Sequence, residues 1–346
     1  MIRWLLIGAA LVAVGLAALL FSISSSLNRP TDEAGSETLF VIRPGSSLHG
    51  VTRDLSDAGL LKEGWFGARG LVAYARLNEL ERDIKSGEYR LSPALSPIKI
   101  LDQIVSGQVA TYLVTIPPGF NAREIAARLA AEQVIEDETA FLELASSREF
   151  ARGIGVEADG LEGYLFPETY RFQKHAPAAE VAKTLVSHFD EAWGPADRER
   201  LQASGRSLHQ VVTLASIVEK ETGTAPERPL IAGVFENRLK RGMLLQSDPT
   251  VIYGILVTRG EFDGNIRRRD LREDTPYNTY TRKGIPPGPI ASPGIEAIRA
   301  VLSPEEHSYL YFVSMNNGTH TFSKSLREHN RAVDRYQRLR GRQAAP

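Results

Sequence analysis

The sequence contains no cysteine among its 346 residues. Disulfide bonds, thiolate catalysis, cysteine-based zinc sites and a lipoprotein anchor attached through cysteine are therefore excluded. The chain also has no excess of charge of either sign, because 41 Lys and Arg residues oppose 42 Asp and Glu residues and leave a net charge of −1. A nucleic-acid partner usually requires a basic surface, so we expect none.

Several signatures of catalysis and metal binding are missing as well. The sequence has no HExxH zinc motif, no GxSxG nucleophile motif and no phosphate-binding P-loop. "GIGVEA" at 153–158 formally fits GxGxxA, but Asp159-Gly160 follows where a helix should continue. The seven histidines show no metal-ligand spacing. We therefore expect neither a metal nor a cofactor.

The chain begins with a long apolar run. No charged residue occurs between Trp4 and Ile23, and a helix that spans a bilayer needs roughly 20 apolar residues. A cleaved signal peptide has a shorter apolar core of about 7–15 residues. Arg3 precedes the run, and acidic residues follow it soon afterwards, which predicts a cytoplasmic N-terminus. We predict cytoplasmic residues 1–3, a transmembrane helix over 4–24, and the rest of the chain outside the cytoplasm; a removed signal is the alternative.

A polar segment rich in Ser, Gly and Pro follows and predicts a flexible linker over 25–38. Beyond it the chain contains an internal echo: "IRPGSSLHGVTRDL" begins at Ile42 and "IPPGFNAREIAARL" at Ile116. Each copy predicts a strand, a Pro-Gly turn and a helix capped by Ser47 or Asn121. With "SGEYRL" as a returning strand, the first copy resembles a LysM-like module, a type that binds N-acetylglucosamine polymers. A small α+β packing domain is the alternative reading.

We divide the remaining chain into the LysM-like module at 39–109 and a larger domain at 110–346. The larger domain has helical periodicity in several segments, among them a helix from Ser207 to Thr222 and another from Arg228 to Lys240. The segment 159–172 is predicted to be strand-like, aromatic and broken by Pro167. Beyond Lys240, strands are predicted to alternate with loops rich in Gly and Pro over 245–254, 276–294 and 308–325. A basic helix is predicted over Leu326 to Arg342. The fold class is therefore α+β: one transmembrane helix, a small α+β module, and a mixed α/β domain that carries a glutamate-bearing helix.

"LASIVEKETG" at 214–223 ends the predicted helix with two glutamates. Glu219 continues the apolar row of Val212 and Ala215, whereas Glu221 lies above Leu214. Periodicity alone does not choose between the two glutamates. Burial in an apolar environment raises the pKa of a carboxyl group, so that it can hold and deliver a proton at neutral pH. In the alternative reading both carboxylates reach water at the helix end.

The loops that follow the helix are rich in aromatic and amide side chains, a composition typical of sugar-binding sites. Together with "ASIVEKET", "LEGYLFPETY" and "NRL", they resemble the YceG-like (MltG) family of endolytic murein transglycosylases over residues 40 to 335. The resemblance implies that Glu219, the first glutamate of "EKET", is the catalytic residue. It also implies a substrate-binding role for five further residues: Asp248, Tyr277, Asn278, Tyr280 and Glu162.

The same resemblance implies a membrane-anchored enzyme in the inner (cytoplasmic) membrane of a bacterium, with its C-terminal domain in the periplasm. It would cleave the β-1,4 bond after N-acetylmuramic acid in nascent peptidoglycan strands, leave 1,6-anhydro ends and so terminate the strands. Glycan strands and cell-wall synthases are the expected partners. One glutamate can act as acid and then as base, so a second carboxylate is not required. The alternatives are a non-catalytic peptidoglycan-binding or scaffold protein, and a muramidase that uses Asp248 or Glu162 as a second carboxylate.

Two finer expectations concern the loops. Asp248 precedes Pro249, which predicts an extended backbone at Asp248, and its negative charge is expected to raise the pKa of Glu219. Asn278 has an amide that can donate and accept, so we expect it to contact sugar hydroxyl or N-acetyl groups.

Overall fold

The structure is a computed structural model and describes residues 2–338. The described chain divides into two compact units. The first runs to Tyr112 and also includes Arg171–Lys174, and the second comprises Leu113–Tyr170 and continues from His175.

The first unit is built around one antiparallel strand pair. Its elements in chain order are α1 (Ile2–Leu27), β1 (Thr38–Ile42), α2 (Leu48–Asp57), α3 (Ala68–Leu77), β2 (Gly87–Leu91) and α4 (Pro97–Ser106). The register of β1 and β2 places Phe40 opposite Tyr89. Alternate strand residues share a face, and Phe40, Ile42, Tyr89 and Leu91 are all buried. The helices α2, α3 and α4 bury their apolar sides in the same core.

Helix α1 is long and apolar enough to cross a membrane. Its segment Ala10–Leu27 has a mean hydropathy of 2.1, and only 6% of that segment is buried within the protein. No other helix among residues 2–338 meets the same criteria of length and composition.

The chain that follows α1 is attached to the first unit. Helix α1 continues to Leu27, whose side chain is 2% exposed and belongs to the core of the unit. The backbone N–H of Asp32 donates to the carbonyl of Pro93 at 3.0 Å. The structure thus differs from the predicted flexible linker over 25–38, because burial of an apolar side chain and backbone hydrogen bonds offset the entropy lost on ordering.

The second unit is mainly helical. Its helices in chain order are α5 (Ala122–Ala131), α6 (Glu138–Ser146), α7 (Arg148–Gly153), α8 (Ala178–Ala192), α9 (Pro195–Ser204), α10 (Leu208–Glu221), α11 (Arg228–Lys240), α12 (Asp248–Arg259), α13 (Ile295–Leu302) and α14 (Leu326–Val333). The strands β5 (Tyr311–Ser314) and β6 (His320–Ser323) belong to it entirely, and β3 (Tyr112–Thr115) and β4 (Thr169–Phe172) belong to it in part. Strand β3 pairs with β4, and β5 pairs with β6 in an antiparallel hairpin. The boundary between the units falls within β3 and β4.

Helix α10 lies in the core of the second unit. Ser207 accepts a hydrogen bond from the backbone of Gln210, and the Gln210 side chain bonds back to Ser207, which forms the predicted capping box. Every residue from Val211 to Val218 is buried, as is typical of a helix surrounded by protein on all sides. Helices α11, α12 and α13 pack around it.

The internal echo corresponds to two similar local structures. Ser47 caps α2 and Asn121 caps α5, as predicted, and both accept a backbone hydrogen bond from the first turn. The glycines of the two Pro-Gly turns have positive φ angles of 77° at Gly45 and 83° at Gly119. Each copy therefore uses a left-handed glycine to turn from strand into helix.

Several predicted strands are wrong. The segment 245–254 contributes to helix α12, because Pro249 lies in the first turn, where its missing N–H is not needed. In 159–172 only Thr169–Phe172 forms a strand. The segment 276–294, where strands and loops rich in Gly and Pro were predicted to alternate, forms loops without a strand. The predicted C-terminal helix is interrupted: α14 ends at Val333 and a π-helical turn follows to Arg338. Positions 339–342 lie outside the described residues.

Candidate active site

Helix α10 ends with a carboxyl group that lines a cavity. Glu221 is its last residue and lines a cavity of about 510 Å³. The hydroxyl of Ser247 donates to Glu221 Oε1 at 2.5 Å. No hydrogen-bond partner of Oε2 occurs among the described residues. One oxygen is therefore fixed, and the other is available to exchange a proton with a molecule in the cavity.

The environment of Glu221 favours the protonated form. Burial raises the pKa of Glu221 to about 7. The hydrogen bond from Ser247 opposes that rise, the negative charge of Asp248 adds to it, and the positive charge of Arg238 opposes it. Near neutral pH a large fraction of molecules therefore carries a neutral carboxyl group at this position. Such a group can donate a proton and later take one back.

Asp248 and Tyr280 form a hydrogen-bonded pair that lines the same cavity. The Tyr280 hydroxyl donates to Asp248 Oδ1 at 2.6 Å. Asp248 begins α12, so the extended backbone predicted for it is wrong. The negative charge of Asp248 raises the pKa of Glu221. Burial and the bond to Asp248 raise the pKa of Tyr280, which keeps its hydroxyl protonated.

Arg238 on α11 holds two walls of this cavity together. Its side chain is buried, Nε donates to the carbonyl of Leu310 at 2.6 Å, and Nη1 donates to the carbonyl of Leu245 at 2.8 Å. The ring of Tyr311 lies 5.1 Å from the guanidinium carbon. Arg238 therefore ties the β5 hairpin and the loop before α12 to one helix, and it brings a positive charge close to Glu221.

Glu219 is bonded inside the protein. Arg228 Nη2 donates to Glu219 Oε1 at 3.0 Å, and the backbone N–H of Gly294 donates to Oε2 at 3.1 Å. The side chain is 6% exposed. Glu219 is not one of the described residues that line either of the two large cavities. Both of its oxygens are already bonded, one of them to a cation. The catalytic role that the resemblance implies for Glu219 stays a prediction.

Residues 287–294, which we call the strap, run along α10 from its beginning to its end. Three polar side chains of the helix bond the strap backbone in sequence order. His209 Nε2 lies 2.9 Å from the carbonyl oxygen of Pro287. The backbone N–H of Ile290 donates to Ser216 Oγ at 3.0 Å, and that of Gly294 donates to Glu219 Oε2 at 3.1 Å. These side chains of α10 thus hold the strap, and Glu219 fixes the end of the strap nearest to Glu221.

Gly163 packs closely against the strap. Its φ is +85°, and a Cβ there would lie 2.5 Å from the Pro289 side chain and 3.0 Å from Val212. We expect Gly163→Ala to lower the free energy of unfolding by about 2–5 kcal/mol through left-handed strain and overpacking together. Gly205, with φ +66° and open space around its Cβ position, is the matched control. Gly205→Ala should lower the free energy of unfolding only through left-handed backbone strain, by about 1–2 kcal/mol. Urea unfolding compares the two, and equal losses would show that contact with the strap contributes nothing.

A second cavity, of about 610 Å³, lies at the other end of α10, where His209 and Glu162 line it. The backbone N–H of Ala122 donates to both Glu162 oxygens at 3.2 and 3.1 Å, and the Tyr253 hydroxyl donates to Oε2 at 3.0 Å. Burial raises the pKa of Glu162 to about 7 against these hydrogen bonds. Tyr277 lines the same cavity, with its ring edge-to-face against Tyr253 at 4.8 Å.

Asn278 lies inside a loop. It is 1% exposed, and its Nδ2 donates to the carbonyls of Asp270 and Glu273 at 3.1 and 2.6 Å. Its Oδ1 accepts from the backbone N–H of Tyr280 at 2.8 Å. The amide therefore closes the loop that carries Tyr280. This geometry favours a positioning role for Asn278 over the direct sugar contact that the sequence predicts.

Sequence reasoning missed several residues of the Glu221 cavity. Ser247 lies in the segment 245–254 and Arg238 in "NRL", but their roles depend on partners distant along the chain. His320 also lines the cavity, with its Nδ1 2.7 Å from Glu227. No group of three or more His, Cys, Asp or Glu that could hold a metal ion occurs within residues 2–338.

Comparison with known proteins gives consistent matches. The model of the YceG-like family matches residues 40–335. Over 334 residues the chain is 31% identical to the endolytic murein transglycosylase of Bacillus subtilis strain 168, covering 91% of this chain and 89% of that protein. It is 29% identical to the endolytic murein transglycosylase of Streptococcus pneumoniae D39, over 84% of this chain and 57% of that protein.

A solved structure is similar too. The crystal structure of a yceG-like protein from Listeria monocytogenes matches with a TM-score of 0.58 at 32% identity, covering 86% of this chain and 98% of that one. The family model spans most of the chain, including every residue that lines the two cavities except Gln337. The protein therefore belongs to the YceG-like family.

Proposed function

We propose that this protein is a lytic murein transglycosylase that cuts within peptidoglycan strands. The observation that carries the proposal is the Glu221 carboxyl group, whose pKa burial raises to about 7 and whose Oε1 is fixed by Ser247 in a cavity that Asp248 and Tyr280 also line. Its relatives in Bacillus and Streptococcus, named endolytic murein transglycosylases, supply the substrate class.

In the proposed reaction one carboxyl group acts twice. Glu221 donates its proton to the glycosidic oxygen of the β-1,4 bond after N-acetylmuramic acid, and the bond between that oxygen and C1 breaks. The Glu221 carboxylate then accepts the proton of the sugar's own C6 hydroxyl. The C6 oxygen bonds to C1 and closes a 1,6-anhydro ring, so no water is consumed and Glu221 ends protonated again.

The neighbours of Glu221 suit both halves of this cycle. Burial, with the negative charge of Asp248 adding to it, raises the pKa of Glu221 and favours the protonated carboxyl group before the transfer. The positive charge of Arg238 and the hydrogen bond from Ser247 stabilise the carboxylate that forms afterwards. The Tyr280 hydroxyl, held by Asp248, lies in the same cavity and supplies an aromatic surface for a sugar ring.

The charge of Asp248 gives a pH prediction. Cleavage requires protonated Glu221, so in the wild type the rate should fall as pH rises through about 7. Asp248→Asn removes the repulsion and lowers the pKa of Glu221, so the fall should begin at lower pH. Asp274, an exposed residue paired with Arg282, is the control, and Asp274→Asn should leave the pH–rate profile unchanged. If Asp248→Asn also leaves it unchanged, Asp248 does not tune the acid.

We also propose that α1 anchors the enzyme in the cytoplasmic membrane and places residues after Leu27 outside the cytoplasm. The exposed apolar surface of Ala10–Leu27 supports this proposal. A periplasmic reporter fused after residue 30 should be active, and the membrane-bound protein should keep its original N-terminus. A mature N-terminus near Ser24–Asn28 would replace the anchor with a removed signal.

The first unit is proposed as the LysM-like part, which holds nascent glycan while the second unit cuts. Its β1-α2-α3-β2 order around one buried core supports an independent module. Cutting strands as they are made would terminate them and would bring the enzyme next to cell-wall synthases. These partner roles follow from the proposed substrate and rest on it.

Mass analysis of digested glycan tests the proposal. Strands treated with the protein should carry 1,6-anhydro ends. Reducing ends would instead identify a muramidase, with Asp248 or Glu162 as the second carboxylate. Unchanged polymer that is still bound would identify a peptidoglycan-binding or scaffold protein.

A further inference from the structure

We propose that Trp65 and Phe66 lie in the headgroup layer of the membrane that α1 spans, so that the first unit is attached to the lipid surface by this loop as well as by its anchor. The partner is the interface of a phospholipid bilayer. This inference rests on the proposed anchor and is independent of the proposed reaction.

Two adjacent large apolar side chains are exposed in the loop before α3. Trp65 is 56% exposed and Phe66 is 46% exposed, although the nearby Leu61 is buried in the core of the unit. Single exposed apolar residues are common on protein surfaces, whereas contiguous ones mark contacts with proteins or membranes. Trp is enriched where a membrane meets water, because its ring is apolar and its N–H can still bond to polar groups.

Contacts within the first unit place this loop beside the C-terminal end of α1. The Ser26 hydroxyl donates to the carbonyl of Phe66 at 2.7 Å. A Cβ at Gly70, in the first turn of α3, would lie 3.2 Å from the side chain of Ile23, so the two helices approach closely there. Leu27, the last residue of α1, is buried in the core of the same unit. The loop is therefore fixed to the last turns of α1.

The depth of the loop follows from the length of the apolar run. As a helix, the run from Trp4 to Ile23 covers about 30 Å at 1.5 Å per residue, which is about the thickness of the hydrocarbon core. The headgroup layer on each side adds about 5–8 Å. Ser26 lies about 4.5 Å beyond Ile23 along the axis, within that layer. Because Phe66 is bonded to Ser26, Phe66 and Trp65 lie at the depth of the headgroups.

The loop presents the two rings from an ordered backbone. The N–H of Ala68 donates to the carbonyl of Lys62 at 2.8 Å, and that of Arg69 donates to the carbonyl of Gly64 at 2.9 Å. A Cβ at Gly67 would overlap the carbonyl oxygen of Lys62, so the close turn requires glycine. An ordered loop loses little conformational entropy when it binds.

The charges beside the rings suit lipid better than a neutral glycan. Two basic residues, Lys62 and Arg69, and one acidic residue, Glu63, are exposed in this loop and at the start of α3. A bilayer interface offers phosphates to the basic side chains and an apolar layer beneath them to the rings. It therefore matches both features of the loop.

The fluorescence of Trp65 tests the inference. The sequence has three tryptophans, so Trp4→Phe and Trp193→Phe together leave Trp65 as the only reporter in the full chain. Trp193 Nε1 has no hydrogen-bond partner among residues 2–338, so Trp193→Phe removes no such bond. The protein is reconstituted into vesicles of phosphatidylethanolamine and phosphatidylglycerol. Quenching is measured with lipids brominated near the headgroup or near the end of the acyl chain, and with iodide on both sides of the vesicle.

Trp65 should lose most of its emission to lipids brominated near the headgroup, less to lipids brominated near the chain end, and little to iodide. Two further chains with a single tryptophan are the controls. Trp193 is 7% exposed, so when it is the only tryptophan neither brominated lipid nor iodide should quench it. Phe21 lies in the apolar run and is 77% exposed, so Phe21→Trp in a chain without the native tryptophans should respond to brominated lipid and not to iodide.

The inference is overturned if iodide quenches Trp65 and brominated lipids do not, while the Phe21→Trp chain responds to lipid. That result would leave the anchor in place, and protection of Trp65 from iodide by added peptide-free murein strands would then assign the loop to glycan. If neither chain responds to lipid, α1 does not insert, and the anchor and the inference are both refuted. None of these measurements depends on cleavage, so the proposed reaction stands or falls separately.

Discussion

Glu221→Gln lowers the rate of anhydro-end formation by about 10²–10⁴-fold. Glutamine keeps the size of the side chain and can still accept the hydrogen bond from Ser247, so the fold should persist. What is lost is the transferable proton, which an amide cannot supply. Chromatography of anhydro products, at equal protein concentration and with circular dichroism as a check on folding, measures the effect.

Glu219→Gln is the matched control, two residues away on the same helix. Its rate should stay within about tenfold of wild type, since Glu219 lines neither large cavity and is not the proton donor in our account. The free energy of unfolding should fall by about 1–3 kcal/mol, because the largely buried Arg228 side chain loses its charged partner. If Glu219→Gln is inactive and Glu221→Gln is fully active, the proton donor is Glu219, as the resemblance implies.

Arg238→Met should lower the free energy of unfolding by about 3 kcal/mol, because buried carbonyl groups lose their donor. For a unit of this size that corresponds to a fall in Tm of about 6–12 °C. The anhydro-end rate should fall as well, since the walls of the Glu221 cavity are no longer tied to α11. Differential scanning calorimetry measures the first effect and product analysis the second.

Arg241 provides the control for Arg238. It is exposed and follows the end of the same helix, so Arg241→Met should change stability by no more than about 0.5 kcal/mol. Equal Tm values for the two variants would mean that the guanidinium contacts of Arg238 do not hold the cavity together.

Local sequence signals predicted the helix starts well. The capping residues Ser47, Asn121 and Ser207 all occupy the positions expected of them, because a cap depends on residues within one turn. The end of α10 was also close to the prediction, at Glu221 rather than Thr222. Such features need no knowledge of the rest of the chain.

The choice between Glu219 and Glu221 could not be made in that way. Both follow an apolar helix, and their difference comes from partners elsewhere in the chain: Gly294 bonds Glu219, whereas Ser247 bonds Glu221. Helical periodicity does not show which face of α10 packs against the strap and which face lines the cavity.

The same limit explains the missed helix α12. Pro249, Val251, Ile252 and Tyr253 predict a strand or turn by local propensity. In the structure the proline occupies the first turn, and the helix packs against α10. Tertiary packing outweighs the weak local preference.

The central claim, that Glu221 is a carboxyl group kept neutral near physiological pH, is open to direct titration. The full chain with ¹³C-labelled glutamate carboxyl groups is followed by NMR from acid to alkaline pH. Resonances that titrate near pH 7 are expected, one of which disappears in Glu221→Gln and another in Glu162→Gln. A Glu221 resonance that titrates near the ordinary glutamate value of 4.5 would contradict the account.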